Sequence, residues 1–308
     1  MMAECLKTKN PECSEKGMSK IWIRIADITI ALINDDPELR LGIEGKMGEF
    51  IVDEKDPEVS MRVAWGDLGE ESIGEKIFDS GALWQLYNED GFYCFRFTSP
   101  ALGSIPYKVA RVQRNFKKGE VLLHRPYFNP DKTIYPLEYP LDELLIVNFL
   151  ALGRGAEVHA CGVVDHHGDG HLFLGHSGAG KTTMARLWQK EKGVTILSDD
   201  RIVLRSVEER LWMYGTPWHG EAQVACPVQA KLTGIYFLQH SKTNELVKLG
   251  TTEAVGRLFA CSFPAFYSSE GLDFSLGFLQ KIAKAVPSYE LSFFPDKRVV
   301  EFIQGLRD

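Results

Sequence analysis

Long apolar runs are missing from this sequence of 308 residues, and none approaches the ~18 residues that a membrane-spanning helix needs. The N-terminal stretch mixes charges, polar residues and Pro11 without an apolar centre, which excludes a secretory leader. No lysine- or arginine-rich block occurs, and the formal net charge is −7, so neither nucleic acid nor a membrane is an expected partner. The densest basic run, Arg111 to Lys118 with Arg114 and Lys117, lies between expected strands and reads as a solvated face. Of the six cysteines (Cys5, Cys13, Cys94, Cys161, Cys226 and Cys261), no two stand at CxxC spacing. A chain this long needs no disulfide staples, so they read as reduced thiols of a cytoplasmic protein. Internal repeats are lacking too. So are a guanine-specifying Asn-Lys-x-Asp and a transporter-type signature, which speaks against an ATPase or GTPase switch.

What is present is the balance of a soluble globular protein, 44% hydrophobic and 25% charged, with room for two modest domains. Residues 1–19 read as a flexible arm. Short alternating or β-branched runs then predict a β-rich domain over 20–140, with strands at 21–32, 49–52, 59–63, 78–87, 92–98, 107–112 and 120–124. Tyr139-Pro140-Leu141-Asp142 opens a helix with Asp142 as its cap. A hairpin follows, 157–164, with a turn at 166–170. After residue 223 an apolar run at 234–238 and a helical pattern at 253–259 complete an α/β domain over 141–308.

The hairpin leads into the strongest motif. Gly175-His176-Ser177-Gly178-Ala179-Gly180-Lys181-Thr182-Thr183 satisfies the phosphate-loop pattern of glycine, four residues, glycine, lysine and a hydroxyl. An apolar strand precedes it and a helix-forming stretch follows, the context a working loop requires. Glycines let backbone N–H groups turn inward on a polyphosphate, and the helix start adds unpaired N–H groups and its positive dipole end. Lys181 is suited to reach the β and γ phosphates, and the Thr182 hydroxyl to ligate magnesium.

Eighteen and nineteen positions beyond Lys181, a β-branched strand ends in Asp199 and Asp200. If that strand runs parallel to the one before the loop, the acids arrive beside the γ-phosphate. One carboxylate there suits magnesium and the other suits a general base. Adjacent strand residues point to opposite faces, so the two are not expected to share one role. Gly215-Thr216-Pro217-Trp218-His219-Gly220-Glu221 reads either as a loop meeting the site, with Glu221 a further metal ligand, or as an ordinary connection. His159, taken alone, reads as a packed strand histidine. The run Asp165, His166, His167 and His171 fits a glycine-rich turn better than a closed metal site.

Together, the segment Val158-His159-Ala160, the loop, the triplet Ser198-Asp199-Asp200 and the 215–221 segment resemble the C-terminal kinase domain of HPr kinase/phosphorylase. They are more similar still to the HPr-kinase-related proteins of peptide-modification cassettes, lasso-peptide serine kinases among them. The resemblance covers residues 140–308 in detail and the β-rich region loosely. It implies a P-loop domain of the HPr kinase/PEP carboxykinase-like type, with ATP and Mg2+ as cofactors. It implies His159 as a catalytic histidine, Lys181 on the phosphates, Asp200 as general base, Asp199 beside metal or His159, and Thr182 and Glu221 on magnesium. The family's arginine-containing glycine-rich segment after the metal glutamate has no counterpart, since Arg257 is the single arginine between Arg210 and Arg298. Neither HPr as acceptor nor phosphorylase activity is therefore implied. Relatives are often oligomeric, which leaves a homo-oligomer open. The expected function is a kinase transferring the γ-phosphoryl of ATP to a hydroxyl, a serine of a peptide or protein. A small-molecule kinase and a non-catalytic nucleotide-binding regulator are the alternatives.

Overall fold

The computed structural model describes residues 19–69, 74–100, 102–129 and 131–307. The expected arm lies outside them except for Ser19. The described residues fall into two compact units, one formed by residues up to Arg24 and from Ile28 to Pro140, the other by Ile25–Asp27 and the residues from Leu141 on. It is a mixed α/β protein built on two large sheets.

The first unit, among the described residues, is a nine-stranded sheet of β1 (Lys20–Ile25), β2 (Ile28–Asn34), β3 (Ile51–Val52), β4 (Val59–Gly66), β5 (Glu75–Asp79), β6 (Trp84–Glu89), β7 (Phe92–Thr98), β8 (Pro106–Gln113) and β9 (Lys118–His124), in the order β3-β1-β2-β4-β9-β8-β7-β6-β5. Three expected strands are corrected. The 21–32 run is two strands, because Ala26 and Asp27 both take positive φ (51° and 58°), the signature of a two-residue hairpin turn. The 78–87 run is likewise split between β5 and β6, where Ser80 Oγ donates to the Trp84 carbonyl at 2.7 Å and Gly81 sits at φ 69°. Of the 49–52 run, only Ile51–Val52 is strand; the residues before it form a 3-10 turn, Gly45–Phe50.

The second unit runs α1 (Leu141–Ala151), β10 (Gly155–Val164), β11 (Asp169–Leu174), α2 (Lys181–Trp188), β12 (Thr195–Ser198), β13 (Arg201–Val207), β14 (Arg210–Gly215), β15 (Gln229–His240), β16 (Glu245–Lys248), α3 (Thr251–Ala260), α4 (Ser269–Ala285), β17 (Ser288–Phe293) and α5 (Arg298–Gln304). Period-2 alternation divides its core into two layers. Val158, Ala160, Leu172, Leu174, Ile235 and Phe237 face α3 and α4, where Leu258, Leu279 and Ile282 pack. Cys161, Val163, Phe173, Tyr236 and Leu238 face Met184, Ala185 and Trp188 of α2 and Val299, Val300 and Ile303 of α5. A strand covered on both faces reads as a continuous apolar run, as His171-Leu172-Phe173-Leu174 does. β11 lies between β10, antiparallel, and β15, parallel. Because β10 also joins β15 through β13 and β14, the pairings close into a ring.

Two further expectations change. Asp142 is not a cap: it lies inside the first turn of α1, where its Oδ1 accepts from the Glu143 N–H at 2.7 Å and the Trp218 indole N–H at 3.2 Å. The turn before β11 ends sooner than residue 170. Asp165 Oδ1 accepts from the N–H groups of His167 and Asp169, and Gly168 takes φ 87°. His171 pairs with Asp165 at 3.1 Å, so this histidine run builds a hairpin. Among the described residues Cys94, Cys161, Cys226 and Cys261 form no disulfide, while Cys5 and Cys13 lie outside them. Among the described residues no helix is long and apolar enough to cross a membrane.

Candidate active site

The phosphate-loop residues leave β11 at Leu174 and enter α2 at Lys181. Gly178 and Gly180 take φ of 83° and 109°, conformations that side chains resist. A Cβ on Gly180 would also come within 2.6 Å of the Phe293 ring. Ala179 is buried beneath the loop, and His240, at the end of β15, pairs with the Gly178 carbonyl at 3.0 Å. The Lys181 ammonium folds back on the loop, donating to the carbonyls of Gly175 (2.7 Å) and His176 (3.2 Å). Burial holds its pKa below the ordinary lysine value, against the opposing pull of Asp200.

Strand register then carries the acids to the loop. Ala160 of β10 pairs with Leu174, the last residue of β11, which sets His159 level with the start of the loop. On its other side β10 pairs with β13 through Gly155–His159 and with β12 through Gly162–Val164, both antiparallel, so β12 runs parallel to β11 with β10 between them. Asp199 and Asp200 occupy the break between β12 and β13, where the Ala160 N–H donates to the Asp200 carbonyl at 3.1 Å. The alternation of an unbroken strand therefore does not apply, and both acids line one cleft.

Their surroundings differ all the same. Asp199 is 1% exposed, and its oxygens accept from the backbone N–H groups of Gly220 (2.9 Å) and Ala222 (2.8 Å). A Cβ on Gly220 would lie 2.8 Å from Asp199 Oδ2, so a glycine permits this approach. Asp200 is instead half-buried, with His159 Nε2 2.8 Å from its Oδ1. It is Asp200, not Asp199, that pairs with His159. The Arg201 guanidinium grips the other oxygen of Asp200. Burial pushes the Asp200 carboxyl up, but the His159 hydrogen bond and the charges of Arg201 and Lys181 outweigh it and hold the group below the usual carboxylate range.

Behind Asp200 the charges continue inward. Arg201 Nε lies 2.8 Å from Glu143 of α1 and 3.5 Å from Glu157 of β10. Glu157 is fully enclosed, with no N–H group donating to its carboxyl oxygens and the Glu143 carboxyl as its hydrogen-bonding neighbour. Burial, reinforced by the charge of Glu143, raises its pKa well above the ordinary value.

The cleft over the loop has a volume of about 330 Å³. It brings together His159, Ser177, Gly178, Gly180, Lys181, Thr182, Thr183, Asp199, Asp200 and Glu221, residues scattered over more than sixty positions of sequence. Gly175 and His176 line a neighbouring cavity instead.

No protein-family model and no curated protein matches the chain. Among solved structures, the Hpr(Ser) kinase/phosphatase from Coxiella burnetii is similar over 49% of this chain and 87% of that one, at 14% identity and a TM-score of 0.28.

Among the described residues no group of three or more His, Cys, Asp and Glu side chains is placed to hold a metal ion. Magnesium asks for less, one or two protein oxygens completed by water and substrate phosphates. The Thr182 hydroxyl and the Glu221 carboxylate line the cleft and fit that donor set, whereas Asp199 and Asp200 each already have a partner on both oxygens. Sequence reasoning passed over Arg201, although it directly follows the paired acids. It also passed over Glu143, Glu157 and His240, which no motif spacing ties to the loop.

Proposed function

We propose that this chain is a nucleoside-triphosphate-dependent phosphotransferase acting on an alcohol, with ATP as donor and a serine of a peptide or protein as acceptor. One observation carries the reading: an ionised carboxylate held by a histidine, His159–Asp200 at 2.8 Å, opens into the same cleft as the phosphate-loop lysine. Binding a nucleotide needs the loop alone, and a binding-only regulator has no use for such a pair.

In this reading the hydroxyl oxygen attacks the γ-phosphorus and gives its proton to Asp200. The bond from that phosphorus to the β–γ bridging oxygen breaks, and the nucleoside diphosphate leaves. A carboxylate of low pKa is a weak base, but the transition state of phosphoryl transfer is loose and asks more for orientation than for basicity. Orientation is what His159 and Arg201 supply. Lys181 and the N–H groups at the start of α2 neutralise charge on the transferring group. Magnesium, held by Thr182 and Glu221, would neutralise further phosphate charge when bound.

The test is transfer from labelled ATP with magnesium to serine-bearing peptides, comparing wild type with Asp200→Asn. Label on peptide that disappears in the variant is the expected result. Tight nucleotide binding without label on any acceptor, equal in both proteins, would overturn the kinase reading in favour of a regulator.

A further inference from the structure

A second cavity, about 380 Å³, adjoins the phosphate cleft and meets it at His159. Phe237 of β15, Ala260 of α3, and Cys261 and Phe263 just beyond it make its walls apolar. The wall is fixed to the site. The His159 N–H donates to the Cys261 carbonyl at 2.7 Å and the Phe263 N–H to the Glu157 carbonyl at 3.0 Å, so this segment extends the sheet alongside β10. The Phe263 ring lies 6.3 Å from the His159 ring and carries the Arg201 guanidinium 4.3 Å above it. One side chain thus touches the cavity, the histidine and the arginine that holds the candidate base.

The cavity's single cation is already matched. Arg257 pairs with Glu253 and Glu290, each at 2.7 Å, so nothing there calls for an anionic ligand. Position decides between the two reactants. In-line transfer puts the attacking hydroxyl on the opposite side of the γ-phosphorus from the leaving diphosphate. His159 and Asp200 must therefore stand on the acceptor side, and so must a cavity joined to the cleft at His159. Of the phosphate loop only its entry, Gly175 and His176, borders the cavity; Lys181, Thr182, Thr183 and Arg186, at the start of α2, do not line it.

We infer that this cavity is an acceptor subsite for a neutral apolar side chain, so that the acceptor is a hydroxyl residue with an aliphatic or aromatic neighbour. The inference rests on the phosphotransferase reading above. The experiment uses serine peptides in which the flanking residues are Leu, Phe, Ala or Asp, with labelled ATP and magnesium. Nucleotide affinity is measured in parallel with a fluorescent ATP analogue. Wild type is expected to label Leu- and Phe-flanked peptides at least about 10-fold more efficiently than Asp-flanked ones, the discrimination an apolar pocket supplies. Ala260 is exposed at the cavity, so Ala260→Trp fills it without disturbing the core. That variant should lose the preference through a raised KM and keep nucleotide affinity within about twofold. Equal labelling of Leu and Asp peptides by wild type would refute the subsite and leave the kinase reading intact. Weakened nucleotide affinity in Ala260→Trp would refute it by giving the cavity to the nucleobase. Absence of label on every peptide, with nucleotide bound, would sink the phosphotransferase reading and the subsite with it.

Discussion

The two units bury cations in different company. In the first, enclosed cations lie against rings: Lys108 Nζ is 4.7 Å from the Phe97 ring and 5.7 Å from the Tyr107 ring, and the Arg96 guanidinium is 5.9 Å from Tyr87. In the second, Arg201 also lies over a ring, that of Phe263, but is surrounded besides by the carboxylates of Glu143, Glu157 and Asp200. An aromatic face answers a charge without titrating. A cluster of carboxylates around one guanidinium leaves at least one acid whose charge state the fold controls. Burial of a cation is therefore a poor marker of chemistry, while the titratable company it keeps is a good one.

The sharpest break of this comparison is the removal of the candidate base. Asp200→Asn should lower the transfer rate by about 10²- to 10⁴-fold, the range a positioned general base contributes. Nucleotide affinity should change little, since the loop is untouched. A variant that transfers phosphate at the wild-type rate would show that the second unit's acids are structural, like the first unit's rings. Next in size is Arg201→Gln. It leaves Glu143 without its cation, and losing one partner of a buried pair costs about 3–5 kcal/mol, readable as a lower urea midpoint. Its pH profile carries a second signature. Arg201 helps to hold Asp200 below the usual range, so without it the carboxyl rises and the acid limb of kcat/KM moves to higher pH.

Glu157 offers a smaller effect with a definite sign. Its folded pKa is raised, so its neutral form favours the fold, and that contribution is present at low pH and lost as pH climbs through the raised value. Glu157→Gln cannot ionise. Its stability should stay within about 1.5 kcal/mol of wild type at low pH and then gain on wild type as the pH rises, measured by urea midpoints across a pH series. A gap that closes with rising pH would mean that Glu157 is ionised in the fold and acts as the main counter-ion of Arg201.

How much of this was legible in the sequence follows from how local each feature is. The phosphate loop is nine consecutive residues, and its strand and helix flank it directly, so motif and context were readable together. The strands on either side of Ala26-Asp27 were merged because alternation continues across a two-residue turn; only positive φ separates them. α4 was missed because Gly271 and Gly277 dilute its helical pattern, though Ser268 caps it by accepting from the Gly271 N–H at 3.0 Å. Asp199 and Asp200 were recognisable as a pair. Their separate partners were not, because those depend on how β12 and β13 register along β10 and on where the 220–222 loop returns. Glu157 reads as one more polar residue in an alternating strand until the strand is covered on both faces.

The gentlest test lies in the first unit, and it decides whether the comparison holds in both directions. Lys108 is 1% exposed, donates to the Glu138 carbonyl at 3.2 Å, and lies 3.8 Å from the Glu138 carboxylate, which remains half in water. Lys108→Met keeps the stem against Phe97 and Tyr107 and removes the charge. The Glu138 carboxylate is left solvated rather than orphaned, so it loses no buried counter-ion. Exchanging a buried charge for an apolar group of similar volume is then neutral or stabilising by about 1 kcal/mol. Phosphoryl transfer should be unchanged, since rings and a solvated carboxylate give the charge no proton to exchange. A variant of wild-type stability that nevertheless lost transfer would place a functional cation in the first unit and reverse the lesson drawn from the two sheets.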